Sequence, residues 1–397
     1  MRSEIPFKLR SLPPATILGL LLGLPLQASA ASTFTGLGDL PGGQVYSYAA
    51  AVSDDGKTVV GQSYSTTGYT AFKWTRRGGL VGLGDLAGGT ALSYASDVSA
   101  DGSVIVGFGT SASGSEAFRW TQTGGMVGLG DLAGGAFTSK ATSISADGAT
   151  VVGRSISTQG NQVFSWTSAG GMTALPISGV YAAKGYDVSS NGGVIVGSTQ
   201  ATATSGYQAF RWTASGGVAN LGDLAGGADN SQAIAVSPNG SIVVGYGTSA
   251  SGTEAFYWTQ AGGMVGLGDL AGGSFFSYAL DVSSGGVVVG YGNGASGQRA
   301  MLWDAVLGMR DLNQVLAADY GLDLTGWTLT EATSITPDGR TIVGAGYHNG
   351  AYESWIATLS SPAGAALMSA PVPEPGAWML LLAGLAVLTP VAVRRHA

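Results

Sequence analysis

This sequence predicts an all-β chain: a seven-bladed β-propeller of four-stranded antiparallel blades. Three observations predict it. A tryptophan closing phrases such as "AFKW" recurs at Trp74, Trp120, Trp166, Trp212, Trp258, Trp303 and Trp355, at spacings of 46, 46, 46, 46, 45 and 52 residues. A glycine ending phrases such as "VSDDGKTVVG" falls at Gly61, Gly107, Gly153, Gly197, Gly245, Gly290 and Gly344, so two independent markers define the same seven units. The runs between them are short, rich in Val, Ile, Phe and Trp and punctuated by glycine turns, and no window repeats apolar residues at helical spacing over a useful length. A period near 46 residues is that of a propeller blade.

Each unit resolves into four strands. In the third, "ATSIS", "TVVGRS", "QVFSW" and "MTAL" are strands, with "ADG" and "TSAGG" as turns. A lone sheet of this composition leaves both faces apolar, so stacking against neighbours is what buries them. Alternation puts the Phe and Trp of "AFRW" on one face, filling the gap between units, where losing one such Trp costs on the order of 3–5 kcal/mol. The repeat region opens with a lone fourth strand, "TFTGLGDL" at residues 33–40, and closes after a third strand, "ESWIATL" at 353–359. The first strand is therefore expected to complete the last unit and remove an exposed edge.

The repeated Asp-Gly pairs at Asp55, Asp101, Asp147 and Asp338 become Asn-Gly at Asn191 and Asn239. That exchange keeps the geometry of a tight two-residue hairpin with positive φ at both positions while deleting the carboxylate, so a turn is expected and a metal site is not. The aspartates of "GLGDL", Asp39, Asp85, Asp131, Asp223 and Asp269, are expected to accept from nearby backbone N–H groups. Two units depart from the pattern. The fourth carries "ALPIS" at 174–178 in place of "GLGDL", and the last is enlarged by residues 313–327, with a short helix expected at 313–319.

The ends carry a different chemistry. Residues 1–30 have a basic start (Arg2, Lys8, Arg10), an apolar run at 15–26 and small residues Ala28 and Ala30 at a cleavage site, the plan of a signal peptide. The 17 uncharged residues 377–393 make about 25 Å of helix, just enough to span a membrane, and Arg394 and Arg395 would hold that end in the cytoplasm. The expected map is thus 1–30 signal peptide, 31–360 repeat domain, 361–371 a Pro/Ala/Ser spacer, and 372–397 a tail with transmembrane helix 377–393.

Val372, Pro373, Glu374 and Pro375, followed by the apolar helix and then Arg394 and Arg395, resemble a PEP-CTERM sorting signal. The phrases "GLGDLAGG", "VSADGSVIVG" and "EAFRWT" resemble the HAF repeat of bacterial extracellular proteins. The first resemblance implies a Gram-negative exporter, processing by signal peptidase and exosortase, transient anchoring in the inner membrane, and delivery to the cell surface, outer membrane or matrix, often beside exopolysaccharide. The second implies no settled activity.

Composition narrows the function further. Between residues 31 and 372 the chain carries 12 basic and 22 acidic side chains, which disfavours a nucleic-acid partner. Cysteine is absent, so disulfide and thiolate chemistry are excluded. His348 is the one histidine of that stretch and no G-x-S-x-G elbow accompanies it, which leaves a Ser-His-Asp arrangement unsupported and a three-histidine metal site impossible. No cofactor is implied. A glycan-active enzyme needs only two carboxylates, and Glu331, Glu353, Asp319 and Asp323 lie off the repeat pattern near the enlarged last unit.

The favoured role is binding or structure without catalysis, with exopolysaccharide or another surface protein as partner. The crossings between units and the loops between second and third strands emerge at one end of an antiparallel meander, and they carry Tyr46, Tyr48, Tyr94, Glu116, Phe137, Glu254, Phe275, Phe276 and Tyr278. Rings set among hydroxyls and a few acids suit sugar or protein binding. The same rings would also serve simply to cap the gaps between units.

Overall fold

A computed structural model of the chain describes residues 31–364. The expected signal peptide, its cleavage residues, and the tail from Val372 onward lie outside the described residues. The chain is all-β with many antiparallel sheets. In the first unit the strands Gly42–Val52, Thr58–Ser65, Gly68–Thr75 and Gly79–Gly82 pair in sequence order, and the same meander repeats in the units that follow. Along each meander the marker glycine sits opposite the inner strand with no space for a side chain: a Cβ on Gly61 would lie 1.9 Å from the Tyr48 carbonyl oxygen. That close approach explains the glycine's recurrence.

The strand Thr33–Gly38 pairs antiparallel with Ala351–Thr358, so the first strand of the repeat region completes the last unit, as the sequence led one to expect. Hydrophobic clusters bridge each unit to the next. Phe118 and Trp120 of the second unit pack on Val60 and Ala71 of the first, and Phe210 of the fourth packs on Val152 and Val163 of the third. The last unit meets the first in the same way, through Val343 and Ile356 against Ala49, Val59, Phe72 and Trp74, with Leu37 among them. Phe72, Phe118, Phe164, Phe210 and Phe256 are fully buried, each opposite its marker glycine; in the last unit Trp355 itself takes that place opposite Gly344, while the other marker tryptophans stand two residues further along their strands.

A buried serine stitches the units. Ser93 Oγ donates to the Gly84 carbonyl at 2.8 Å and accepts from the Ala71 N–H at 3.0 Å, tying the inner strand of one unit to the third and fourth strands of the unit before. Ser139, Ser231 and Ser277 repeat the arrangement. Ser47 does the same at the junction of last and first units, donating to Gly38 and accepting from Ser354 N–H, residues that lie at opposite ends of the repeat region. Each such bond contributes roughly 0.5–1.5 kcal/mol net.

The Asp-Gly turns are longer than expected. Ser53 N–H donates to Thr58 C=O and Gly56 N–H to Ser53 C=O, so four residues form the loop, and only the glycine, at φ 69°, is left-handed. This is a tight turn followed by one αL residue, where the two-residue hairpin would have needed positive φ at both. The preceding carboxylate serves as an acceptor within the loop. Asp55 Oδ1 accepts from Ser53 Oγ and Lys57 N–H, and Asn191 Oδ1 accepts from Ser189 Oγ and Gly193 N–H identically. Amide and carboxylate are interchangeable because only an acceptor oxygen is used.

The enlarged last unit forms the helix Leu312–Ala318, capped by Asp311, whose side chain accepts from Asn313 N–H. Leu312, Val315 and Leu316 share its buried face and plug the core between the sixth and seventh units. Packing continues to Ala363, and Tyr320 Oη donates to the Pro362 carbonyl, so the first part of the expected spacer is held against the last unit. Among the described residues no helix is long and apolar enough to cross a membrane, and no group of three or more His, Cys, Asp or Glu is arranged to hold a metal ion.

Candidate functional site

Two positions per unit vary while the packing around them repeats. Just before the marker alanine or glycine of each inner strand stand Tyr48, Tyr94, Lys140, Lys184, Gln232, Tyr278 and Glu331. Directly opposite, just after the marker glycine of the second strand, stand Gln62, Phe108, Arg154, Ser198, Tyr246, Tyr291 and Ala345. Two residues further along the same inner strands, Ala50, Ser96, Thr142, Tyr186, Ile234, Leu280 and Thr333 line one cavity of about 220 Å³. A β-bulge separates the two positions in every inner strand, and the variable rows stand two residues from the cavity lining, toward the crossing loops, at its mouth.

Aromatic rings run continuously along part of this face. From the exposed Tyr347 the path passes to Tyr352 (centroids 5.2 Å apart), Tyr46 (5.8 Å), Tyr69 (5.6 Å), Tyr94 (5.7 Å) and Phe108 (4.9 Å). It crosses from the seventh unit through the first to the second, and the Lys140 ammonium of the third lies 4.0 Å over the Phe108 ring. A second group joins Tyr246, Tyr278, Tyr291 and Phe276, with Tyr278 and Tyr291 stacked at 5.0 Å. Most of these rings are half-buried, each leaving part of its surface to solvent.

Charge is distributed unevenly around the mouth. Glu331 accepts from Tyr352 Oη and from Tyr48 Oη at 3.4 Å. Burial raises its pKa and the two phenol donors hold it down in part. Burial, and then the Glu331 charge, push the Tyr48 hydroxyl well up; burial, Tyr278 and Glu331 carry Tyr291 to about 12. These phenols are donors at any physiological pH. The bases sit in the third and fourth units: Lys140 and Arg154 face each other across one strand pair, and Lys184 Nζ donates to Tyr207 Oη at 3.0 Å.

Deeper in the cavity three carboxylates brace successive inner strands. Asp97 accepts from Val98 and Ile144 N–H, Asp187 from Val188 and Val236 N–H, and Asp281 from Val282 and Ile335 N–H, each reaching into the next unit. Ser143 Oγ lies 2.8 Å from Asp97 Oδ2 and 2.6 Å from Asp187 Oδ1. One hydroxyl has one hydrogen, so both contacts are hydrogen bonds only when one carboxyl is protonated. Burial foremost, with Asp187 adding, pushes Asp97 up to about 7; burial likewise carries Asp281 to about 7.

The residues expected from sequence fall into three groups. Tyr46, Tyr48, Tyr94, Phe276 and Tyr278 join the ring groups or the mouth. Phe137 and Phe275 are half-buried on the rim and, among the described residues, stack on no other ring. Glu116 and Glu254 brace their own units, accepting from Gly130 and Gly268 N–H. Asp223 accepts from Leu224 and Asn230 N–H as anticipated, whereas Asp85 Oδ1 is buried with no hydrogen-bond partner.

The four suspected acids do not assemble. Glu331 lies in a row with Ala345 and Ser354, so Glu353, one residue along, projects from the opposite face and meets His348 Nδ1 at 3.4 Å. Asp319 pairs with Arg310 at 3.1 Å, and Asp323 bonds Thr325. Sequence reading missed Tyr69, Phe108, Tyr352, Lys140 and Arg154. The signal was present: aligning the seven units on the marker glycine isolates the two variable rows.

No family model matches the chain, and no curated protein matches it in sequence. Solved structures of similar shape include the β-propeller domain of the trilobed protease from Pyrococcus furiosus, at 9% identity and TM-score 0.46, covering 80% of this chain and 99% of that one. A gluconolactonase from Xanthomonas campestris has 12% identity and TM-score 0.38, covering 70% of this chain and 88% of that one. TolB from Acinetobacter baumannii has 17% identity and TM-score 0.41 over 55% of this chain, which spans about half (52%) of that protein's length. With TM-scores below 0.5, these three likenesses carry no argument about this chain.

Proposed function

We propose that this chain is an exported, cell-surface or matrix-associated protein whose repeat domain closes as a seven-bladed propeller and binds extracellular polysaccharide without catalysis. The closed ring is supported by the pairing of Thr33–Gly38 with Ala351–Thr358 and by the core shared between last and first units. Export, exosortase sorting and proximity to exopolysaccharide rest on the signal-like residues 1–30 and the Val372 to Arg395 pattern.

The observation that carries the binding role is the unbroken path of six rings from Tyr347 to Phe108 across three units. Packing between neighbouring blades needs rings only at each junction. A path following one face from unit to unit offers successive apolar platforms to an extended polymer, and the faces of pyranose rings stack on such platforms. The phenol hydroxyls beside them supply donors for orientation. Affinity electrophoresis in gels containing the producing cell's own extracellular polysaccharide tests this: the chain should be retarded, and Tyr69→Ala with Tyr94→Ala should run free. Equal mobility with and without polymer refutes it.

A further inference from the structure

Lys140 and Arg154 are directly opposed on the inner and second strands of the third unit. Both are half-buried, and among the described residues no carboxylate and no hydrogen-bond acceptor meets either one. Arg310, by contrast, is neutralised by Asp304 and Asp319. Like charges directly across a strand pair are destabilising. Burial first, and Arg154 second, lower the Lys140 pKa, so the cost is visible on the lysine itself. The Lys140 ammonium rests on Phe108, the final ring of the aromatic path, and Lys184 occupies the same row of the next unit.

We propose that Lys140 and Arg154 form an anion seat at the end of the ring path, taking a carboxylate or sulfate group carried by a sugar of the bound polymer. The inference rests on the polysaccharide reading above and adds the ligand's charge. An oxyanion between an ammonium and a guanidinium fork gains charge-assisted hydrogen bonds from both and removes their mutual repulsion. The aromatic path bears sugar faces, and the seat fixes which residue of the polymer stops there. A neutral polymer would leave the pair uncompensated.

The test uses the full chain in mild detergent and the same polysaccharide gels in three forms: untreated, carboxyl-reduced with carbodiimide and borohydride, and desulfated. Removing one class of acid should weaken binding of the unaltered chain about tenfold, and which treatment does so identifies carboxylate or sulfate. Lys140→Gln with Arg154→Gln should bind all three polymers at that weakened level, while Lys140→Arg keeps the untreated affinity. Thermal melts check folding, and the double variant should melt no lower than the parent because repulsion is relieved. Retardation that ignores both treatments overturns the seat and leaves the polysaccharide reading standing, as does a double variant that still responds to them. Absence of retardation in every gel sinks the reading and the seat together.

Discussion

Leu37 offers the sharpest test of how the two ends of the repeat region are joined. It lies on the strand Thr33–Gly38, is 6% exposed, and packs with Val343 and Ile356 of the last unit and Phe72 and Trp74 of the first. Its counterpart Leu267, 7% exposed, makes the same kind of contact between fifth and sixth units, where the chain is continuous. Leu→Ala at such sites costs 2–5 kcal/mol, about 3 in the middle of the range. With about 330 ordered residues and an unfolding entropy of ~2.1 cal/mol/K per residue, ΔS is about 0.7 kcal/mol/K, and 3 kcal/mol lowers Tm by about 4 °C. Differential scanning calorimetry of Leu37→Ala and Leu267→Ala should therefore show similar falls. If the strand were only loosely attached, it would fray before the rest unfolds and Leu37→Ala would matter little. A Leu37→Ala midpoint within a degree of the parent, beside a clear fall for Leu267→Ala, would refute the closing role of the first strand. Removing residues 33–38 altogether should do more, because it also exposes the edge of Ala351–Thr358 to other chains.

Stability should depend on pH through the cavity carboxylates. Asp97 and Asp281 have folded pKa values raised to about 7, above the unfolded value near 3.9, so the folded state binds more protons between those limits. Their contribution is fully present below about pH 4 and lost as pH rises through about 7, with a slope of up to about 1.4 kcal/mol per pH unit for each. Urea midpoints between pH 5 and 8 should fall, and Asp97→Asn or Asp281→Asn should each flatten the slope; an unchanged slope in both variants removes these residues as its source. In the turns, Asp101→Asn should leave Tm within about a degree, since Asn191 and Asn239 already fill the same place, whereas Asp101→Ala should cost on the order of 1 kcal/mol by stranding the Ser99 and Ser103 donors. EDTA should shift neither melt; a fall on chelation would show that the turns hold a cation after all.

Much of the architecture was legible because repetition amplifies weak signals. One short strand is ambiguous, but a tryptophan and a glycine recurring together give period and unit count, and the lone strand at 33–40 announces its partner at 353–359. The helix at Leu312–Ala318 was legible for the opposite reason: it falls at the insertion 313–327 that breaks the repeat. The Asp-Gly loop was misjudged because the dipeptide suits two turn lengths, and the flanking Ser53 and Thr58, which choose between them, act through hydrogen bonds invisible in composition. Glu116 and Glu254 looked available because exposed loops usually leave acids free, yet a strand-end amide fourteen residues away claims each.

The sequence by itself determined the strands, their order, their period and the pairing that joins first to last, because these follow from local alternation and from the repeat. Only the tertiary structure decided which variable side chains become neighbours. Tyr46 and Tyr352, or Ser143 and Asp97, are far apart in the chain and meet only when separate units converge. The same convergence brings Phe108 of the second unit under the Lys140 ammonium of the third and closes Tyr48 and Tyr352 onto Glu331. Burial and charge at such points are sums over several units, and no single stretch of sequence contains them.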